Sequence, residues 1–428
     1  MMRLTNGSPP GRVLRAPVRI DDVKSWVEIS EQRLAANYRA LSKVAGVSMA
    51  VLAVVKADAY GHGAAVCAPV LARAGARWLG VTDAQEGTAV REALAAAGVA
   101  ATEQPDILVM SGLLAEDADA IVQHGLVPVV WDRQQLECLA AAVERHSKDA
   151  RLRVHLEIDT GMARQGVRVG AELQVVLEYL GGHPSLELDG VMTHFASAEV
   201  VGSKQTLEQR TRFDQAMREI AAAGLRPAWV HAGNSSTIDN SASPQANTLV
   251  WLRQLAEEYG ARAMVRPGLG LYGYCLPIEC ADSSQNTSVE AQVQAGLKPV
   301  MTWKTRVIGL REVQAGETVG YNATFVAQEP MRLALLPVGY ADGLRRELSA
   351  ATGLVGGWAM VQRQRAPIVG RVSMNLTVID VSGIADVAVG EEVVLLGDGV
   401  TADDHALLAG TIAYEIVCGV RSPSRLGA

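Results

Sequence analysis

The chain has 428 residues, of which 49% are hydrophobic and 20% charged, the balance of a packed globular protein rather than a disordered one. This length exceeds one ordinary core, so we expect two domains, or one barrel with an appended module. The formal net charge is −7 and no Lys/Arg run occurs, which argues against nucleic-acid and anionic-membrane partners and favours a small-molecule substrate.

The N-terminal stretch and the cysteines bear on the compartment. Residues 1–24 contain several Pro, Gly and Arg and predict a loose extension without the apolar segment of a secretory signal. No apolar run approaches the roughly 18 residues that a membrane-spanning helix requires. The five cysteines are scattered without CxxC spacing, which predicts neither a disulfide framework nor a metal site. We therefore expect a cytoplasmic protein without a bound metal.

Short apolar runs alternate with amphipathic helical patterns between residues 51 and 266. Fully apolar strands that alternate with helices are typical of a parallel sheet covered on both faces. Eight such units predict an α/β fold with a (β/α)8 TIM-like barrel, and a doubly wound open sheet is the alternative. The runs are VLAVV (51–55), WLGV (78–81), ILVM (107–110), VPVV (127–130), RVHLEI (153–158), LDGVMTH (188–194), AWVH (228–231) and AMVR (263–266).

The pattern changes after the last of these runs. Residues 276–292 are polar and predict a linker, and the runs at 299–313, 332–339, 365–381 and 391–397 are rich in β-forming residues punctuated by Gly, Asp and Asn. We therefore expect three parts: an N-terminal extension (1–24), a barrel domain (25–277) and a mostly antiparallel β C-terminal domain (278–428).

Candidate catalytic residues follow from the rule that barrel enzymes carry their chemistry where strands end. The first run ends at Lys56, within AVVKADAYGHG. An isolated lysine at such a place is usually a charge that reaches solvent, whereas a desolvated lysine has a lowered pKa and bonds covalently to carbonyl compounds. The residues at the ends of the later strands are Asp159, Arg164, His194, Asn234, Ser235, Arg266, Gly268 and Leu269.

The segment VRPGLGLYG contains a formal GxGxxG pattern at Gly268, Gly270 and Gly273. A dinucleotide-binding fingerprint would open the first βα turn, whereas this pattern follows the last strand of the series. Its position suits the phosphate site that barrels often build after strands seven and eight.

These motifs together resemble those of the alanine racemases. The segments AVVKADAYGHG, DTGMARQGV, GVMTHFASAE, HAGNSS, VGYNATF, PVGYADG and GRVSMN occur in the family's order, and the likeness extends from Trp26 to Cys418. The resemblance implies an isomerase that interconverts L- and D-alanine with pyridoxal 5'-phosphate carried on Lys56. By the same analogy, its D-alanine is destined for peptidoglycan.

The resemblance also assigns roles to single residues. Arg266 matches an arginine at the pyridine nitrogen of the cofactor; since arginine keeps its proton, the ring nitrogen should stay largely neutral, favouring reprotonation over transamination. Arg164 and Met374 match residues that contact the substrate carboxylate and the cofactor, and Tyr340 matches a tyrosine of the substrate entrance. The residues assigned to the cofactor phosphate are Tyr60, Ser235, Gly268 and Leu269.

Racemisation requires an acid/base on each face of Cα. Lys56 serves one face, and the family-matched partner is Tyr321. An unperturbed tyrosine has a pKa near 10, so a basic Tyr321 requires nearby donors or cations, which His194 and Arg266 would supply. Tyr321 belongs to the second domain, and the resemblance implies that it reaches the barrel of another subunit in a homodimer with shared active sites.

Three departures from the family pattern affect the specificity. Glu157 stands where some members carry a carbamylated lysine that faces the arginine matched by Arg164, and Asn375 stands where many have Asp. The C-terminal segment YEIVCGVRSPSR is interpreted as lacking a tyrosine that relatives place near their phosphate. The last two changes make a broader alanine/serine racemase the alternative function.

Two other classes of protein fit the sequence less well than a racemase. A non-catalytic pyridoxal-phosphate carrier would resemble the barrel alone, without the domain that holds Tyr321. A decarboxylase of the same two-domain fold should carry a cysteine and acidic specificity motifs that we do not find in this sequence.

Overall fold

The computed structural model of the chain describes residues 23–147, 150–242, 247–281, 290–422 and 425–427. Residues 1–22 of the N-terminal extension predicted at 1–24 therefore lie outside the described residues. The same holds for residues 282–289 of the predicted linker.

Eight parallel strands form a closed barrel, in which each strand pairs with its neighbours along the chain and the last pairs with the first. This confirms the predicted (β/α)8 architecture and rules out the open sheet. We number the barrel strands one to eight: Met49–Val54, Trp78–Val81, Asp106–Val109, Val127–Val130, Leu152–Glu157, Leu186–Met192, Trp229–His231 and Arg262–Val265.

Helices with apolar inner faces surround the barrel, and several begin at side-chain caps. Asp83 accepts a hydrogen bond from the amide of Glu86 at 2.8 Å, and Asp132 accepts one from the amide of Gln135 at 2.9 Å. Within the described residues, no helix combines the length and apolar character needed to cross a membrane. The helices are Glu31–Ala45, Ala64–Arg73, Ala84–Ala96, Ala118–Gln123, Arg133–His146, Ala171–Gly182, Lys204–Ala222 and Thr248–Glu258, with short turns at Lys56–Tyr60 and Ser235–Asp239.

The second domain is mostly antiparallel β structure, as predicted. Its three-stranded sheet contains Gly309–Val313, Met331–Leu336 and Thr377–Asp380. Its six-stranded sheet contains, in spatial order, Gln364–Pro367, Trp358–Val361, Glu392–Leu396, Met301–Arg306, Ser25–Ile29 and Arg425–Gly427. Smaller elements of this domain are the strand pair Thr318–Val319 with Phe325–Val326 and the helices Ala402–Ala409 and Ala413–Gly419. Outside it, the short strand Val200–Val201 pairs with Glu279–Cys280.

The strand Ser25–Ile29 differs from the expectation that the barrel begins at residue 25. It pairs with Met301–Arg306 and with Arg425–Gly427, so it belongs to the sheet of the second domain. An apolar run carries no signal of which sheet it will join, which explains the difference. Most buried hydrophobic residues of both domains form one continuous cluster, so the two domains share a core, and a smaller separate cluster around Val313 and Leu333 lies in the second domain.

The turn that carries Lys56 has an unusual backbone. The four residues 57–60 have φ values of 52°, 52°, 57° and 54°, the left-handed region that costs roughly 1–2 kcal/mol per residue outside glycine. Hydrogen bonds to neighbouring helices hold it: the Asp58 side chain accepts from the amide of Ala64 at 2.7 Å, and the Glu86 side chain accepts from the amide of Asp58 at 3.2 Å. The strained turn thus depends on the rest of the barrel for its shape.

We expect Tyr272 to be one of these supports. Its fully buried side chain donates a hydrogen bond to the carbonyl of Val54 at 3.0 Å, two residues before Lys56. Tyr272→Phe should lower the free energy of unfolding by about 1–2 kcal/mol, because the buried bond is lost without a change of shape. Urea unfolding at matched protein concentration measures this. Tyr179→Phe is the control, since no described residue forms a hydrogen bond with its hydroxyl; equal losses would contradict the assignment.

Candidate active site

A cavity of about 410 Å³ opens at the carboxyl ends of the barrel strands, within the size range of small-molecule sites. The structure therefore brings together most of the residues that the strand-end rule selected. The cavity is lined by Val54, Lys56, Tyr60, Met110, Ser111, Glu157, Arg164, Gln165, Met192, His194, Asn234, Arg266, Gly268 and Tyr414.

Lys56 is a half-buried amine in a positively charged surrounding. Burial lowers the pKa of Lys56, and the nearby guanidinium groups of Arg164 and Arg266 lower it further. A lowered pKa increases the fraction of neutral amine, the form that attacks carbonyl carbon. Lys56 is therefore suited to covalent bonding with an aldehyde.

Arg266 is 5% exposed and is held by three hydrogen-bond partners. Its Nη2 donates to the carbonyl of Thr193 at 2.7 Å and lies 3.4 Å from Nδ1 of His194, while its Nη1 donates to Nδ1 of His231 at 3.2 Å. Burial lowers the pKa of Arg266 to about 10, so the group stays charged at neutral pH. Burial and the adjacent Arg266 lower the pKa of His194 to about 3, which leaves its imidazole neutral.

Backbone amides and a serine converge at one end of the cavity. The hydroxyl of Ser235 accepts hydrogen bonds from the amides of Gly268 at 3.1 Å and Gly270 at 3.0 Å. A Cβ atom at position 268 would lie 2.2 Å from the hydroxyl oxygen of Tyr60, so only glycine allows this close approach. Leu269 follows in the short turn Leu269–Tyr272 and is buried. Amides and hydroxyls in this arrangement are the donors that a phosphate group requires.

Glu157 lines the cavity, and its hydrogen-bond partner there is Gln165. Its carboxylate accepts a short hydrogen bond from the side chain of Gln165, which also donates to the carbonyl of Met110 at 2.9 Å. No ion pair joins Glu157 to Arg164 among the described side chains. Burial raises the pKa of Glu157, and the Gln165 bond and the charges of Arg266 and Arg164 oppose that rise. The charge of Glu157 thus acts on Arg164 without a direct ion pair, and its role toward Arg164 stays a prediction.

Tyr414 corrects the expectation that the C-terminal segment lacks a tyrosine near the site. The C-terminal segment does supply a tyrosine to the cavity, because Tyr414 in the helix Ala413–Gly419 lines it and its ring centroid lies 5.9 Å from that of Tyr60. The residue stands at the start of YEIVCGVRSPSR, and reading it as part of the motif would have found it. Ser111, which follows barrel strand three, was also missed, although the strand-end rule applies to it.

Five predicted site residues do not line this cavity: Ser235 and Leu269, which are buried beside it, and three residues of the second domain. Tyr321, Tyr340 and Met374 do not line it; they lie on the second domain with 68%, 44% and 56% of their surface exposed. Tyr340 and Met374 are close together, since the amide of Tyr340 donates to the carbonyl of Ser373 at 3.0 Å and that of Ala341 to the carbonyl of Met374 at 2.9 Å. Within one chain, these three residues are exposed on the second domain and do not form a wall of the cavity.

Comparisons with known proteins agree with this geometry over the whole chain. The alanine racemase N-terminal domain family matches residues 29–276, and the alanine racemase C-terminal domain family matches residues 300–426. The alanine racemase of Syntrophobacter fumaroxidans is 35% identical over 400 residues, which are 92% of this chain and 95% of that protein.

Solved structures show the same similarity. The alanine racemase from Streptomyces coelicolor A3(2) has a TM-score of 0.80 and 30% identity, covering 94% of this chain and 97% of that one. The alanine racemase from Bartonella henselae, solved with covalently bound pyridoxal phosphate, has a TM-score of 0.73 and 25% identity, covering 95% and 99%. The chain therefore belongs to the alanine racemase family and is an amino-acid racemase, an isomerase.

Proposed function

We propose that this racemase interconverts L- and D-alanine with pyridoxal 5'-phosphate, as a cytoplasmic homodimer whose D-alanine serves peptidoglycan synthesis. The observation that carries the proposal is the cavity itself. It combines an amine of lowered pKa at Lys56 with a buried guanidinium at Arg266 and a set of phosphate-type donors around Ser235.

The residues present fit this cofactor. Lys56 would bond to its aldehyde carbon, Arg266 would donate to its ring nitrogen, and Tyr60, Ser235, Gly268 and Leu269 would surround its phosphate. Lys56, Arg164 and Arg266 outnumber the single acid Glu157 in the lining, which suits an anionic group. When bound, the cofactor supplies an electron sink that makes the Cα proton of an amino acid removable.

A second acid/base must come from outside this cavity. Lys56 can carry a proton to or from one face of Cα, but the other lining groups of the same chain are poor proton acceptors at neutral pH. The His194 imidazole has a pKa of about 3, burial raises the pKa of Tyr414 to about 12, and Glu157 is bonded to Gln165. We therefore infer that Tyr321 of a second copy enters the cavity and serves the opposite face.

The same second copy would complete the substrate pocket. Tyr340 and Met374 share the second domain with Tyr321 and are similarly exposed, so one docking event would bring all three to a partner's barrel. Arg164 is exposed at the rim of the cavity, where its guanidinium would bind the substrate carboxylate.

Alanine is favoured over a broader substrate range. One of the two arguments for serine was that a missing C-terminal tyrosine would leave room for a larger substrate side chain. Because Tyr414 lines the cavity, that argument no longer holds. Asn375, the other departure, is exposed in the described chain, and nothing in the structure explains its effect on specificity.

The proposed activity is tested by chiral chromatography of alanine and serine after incubation with the cofactor-loaded protein. L-Alanine should become racemic, and kcat/KM for L-serine should be lower by about 10²-fold, the discrimination typical of a small apolar pocket against an added hydroxyl. Lys56→Ala should be inactive. Equal kcat/KM for both substrates would replace alanine racemase with the broader alternative. Borohydride reduction should place the pyridoxyl label on Lys56, and a label on Lys43 or Lys204 would refute its role.

Tyr321 is tested by substitution and by mixing. Tyr321→Phe should lower kcat by roughly 10²–10⁴-fold, the usual contribution of a general acid/base, while the cofactor remains bound. Because Tyr321 and Lys56 would meet across the dimer, exchanging subunits between inactive Lys56→Ala and Tyr321→Phe dimers should restore part of the activity. Tyr179→Phe, on the outer surface, is the control. Full activity in Tyr321→Phe, or no recovery after proven exchange, would exclude the shared site.

Glu157 should act through its built-in charge. Since that charge raises the pKa of Lys56 and that of Arg266, Glu157→Gln should lower the apparent pKa of Lys56 in cofactor-free protein and reduce activity in the loaded enzyme. The pH dependence of labelling by an amine-directed reagent measures the first effect, with exposed Glu178→Gln as control. Wild-type activity should not depend on added bicarbonate. A bicarbonate requirement, or an unchanged Lys56 pKa in Glu157→Gln, would contradict this role.

A further inference from the structure

A series of buried hydrogen bonds leads from Arg266 into the barrel, away from the cavity. Nη1 of Arg266 lies 3.2 Å from Nδ1 of His231, and Nε2 of His231 lies 2.8 Å from Nδ1 of His155. Nε2 of His155 in turn lies 3.4 Å from a carboxylate oxygen of Asp189. Both imidazoles have no exposed surface, and Asp189 is 6% exposed. We call these four residues the histidine relay.

The donors and acceptors of the histidine relay fit one assignment of protons. A guanidinium only donates, so Nδ1 of His231 must accept and its proton must sit on Nε2. That proton points at Nδ1 of His155, which must therefore accept and carry its own proton on Nε2, toward Asp189. Burial lowers the pKa of His155 and of His231, in agreement with two neutral rings. A proton on Nδ1 of either ring would face another N–H group.

The backbone of barrel strands five and six positions His155 and Asp189, the two relay residues farthest from Arg266. Val154 pairs with Leu188 and His155 with Gly190, so Asp189 is the extra residue of a β-bulge between barrel strands five and six. Bulges re-aim side chains and are frequent near active sites. A Cβ atom at position 190 would lie 2.5 Å from Nδ1 of His155, so glycine makes room for the ring. A bulge and a glycine at adjacent positions indicate a built arrangement rather than chance contact.

Asp189 is held as a carboxylate at the far end of the relay. Burial acts to raise its pKa, but the hydrogen bond from His155 and the charges of Arg153 and Arg262 outweigh this and lower it. Arg153 lies 3.5 Å from Asp189 and also donates to both carboxylate oxygens of Asp106, at 2.5 and 3.1 Å. The histidine relay therefore ends at the ionised carboxylate of Asp189, which can accept hydrogen bonds but not donate them.

We propose that Asp189 and His155 are positioning residues for the racemase reaction, because they fix the tautomer of His231 and thereby the orientation of Arg266. Without the Asp189 carboxylate, His155 is free to carry its proton on Nδ1. His231 must then accept at Nε2 and present Nδ1–H to Arg266, which loses its acceptor and turns. The inference rests on the proposed placement of Arg266 at the cofactor ring.

The first measurement is ¹⁵N NMR of cofactor-loaded enzyme containing [¹⁵N]histidine, with the relay signals assigned by loss in His155→Gln and His231→Asn. Both rings should be neutral, with the proton on Nε2. A cationic ring, or a proton on Nδ1 of either ring, would overturn the proposal whatever the enzyme's activity. Failure of the racemase activity would instead affect the proposed function and leave the tautomers measurable.

The second measurement uses Asp189→Asn. We expect a redistribution of the His155 tautomers, a changed visible absorption of the bound cofactor, and a decrease in kcat of about tenfold with KM little changed, the scale of lost outer-shell partners. Asp189→Glu, which keeps the charge, should recover part of kcat. Asp214→Asn is the matched control, since Asp214 is a half-buried carboxylate that accepts from Trp251 at 2.9 Å outside the relay.

A second variant guards against a failure to fold. Gly190→Ala leaves Asp189 in place but displaces the His155 ring, and it should reproduce the spectral change of Asp189→Asn. If kcat and the cofactor spectrum of both variants match those of Asp214→Asn, Asp189 and His155 have no positioning role.

Discussion

The site depends on a buried arginine, Arg266, that must stay charged and keep a fixed orientation. Arg266 is 5% exposed, and removing a guanidinium from water is costly unless its donors are satisfied. The protein meets this with the carbonyl of Thr193, with two imidazoles kept neutral by burial, and with the charge of Glu157, which raises the pKa of Arg266. These neutral histidines accept from Arg266 without adding a competing positive charge, so the barrel mouth keeps one oriented donor group.

The buried positive charge of Arg266 limits which neighbouring groups can accept a proton. The features that hold Arg266 also make His194 a weak base, because the adjacent guanidinium and burial both oppose its protonation. Among the described residues that line the barrel mouth, Lys56 is the group to which the proposed reaction assigns proton transfer. In the proposed homodimer, the exposed Tyr321, Tyr340 and Met374 would be the complementary part, and docking of a second copy would cover these aromatic and apolar side chains.

The sequence was sufficient for the architecture and for most of the barrel side of the site. Periodicity identified all eight barrel strands, and the strand-end rule selected Lys56, Arg164, His194 and Arg266, because parallel strands bring their carboxyl ends to one mouth. Strand Ser25–Ile29 was misplaced, since sheet membership is decided by packing across long sequence separations. The histidine relay could not be predicted for the same reason. His155 and Asp189 come together through a β-bulge, and the alternation of apolar and polar residues along a strand does not reveal one extra residue.

Glu157 shows how a residue can keep an electrostatic role without keeping a contact. The resemblance placed it where some racemases carry a carbamylated lysine, a side chain several bonds longer than glutamate. A carboxylate on the shorter side chain stays near the barrel wall, where the amide of Gln165 meets it and anchors it to the carbonyl of Met110. Coulomb interaction falls off slowly with distance in a poorly solvated site, so the charge still acts on Arg266, Arg164 and Lys56 without touching them. The Gln165 bond therefore favours the charged form of Glu157, because an unpartnered buried carboxylate would take up a proton and lose the charge on which its proposed role depends.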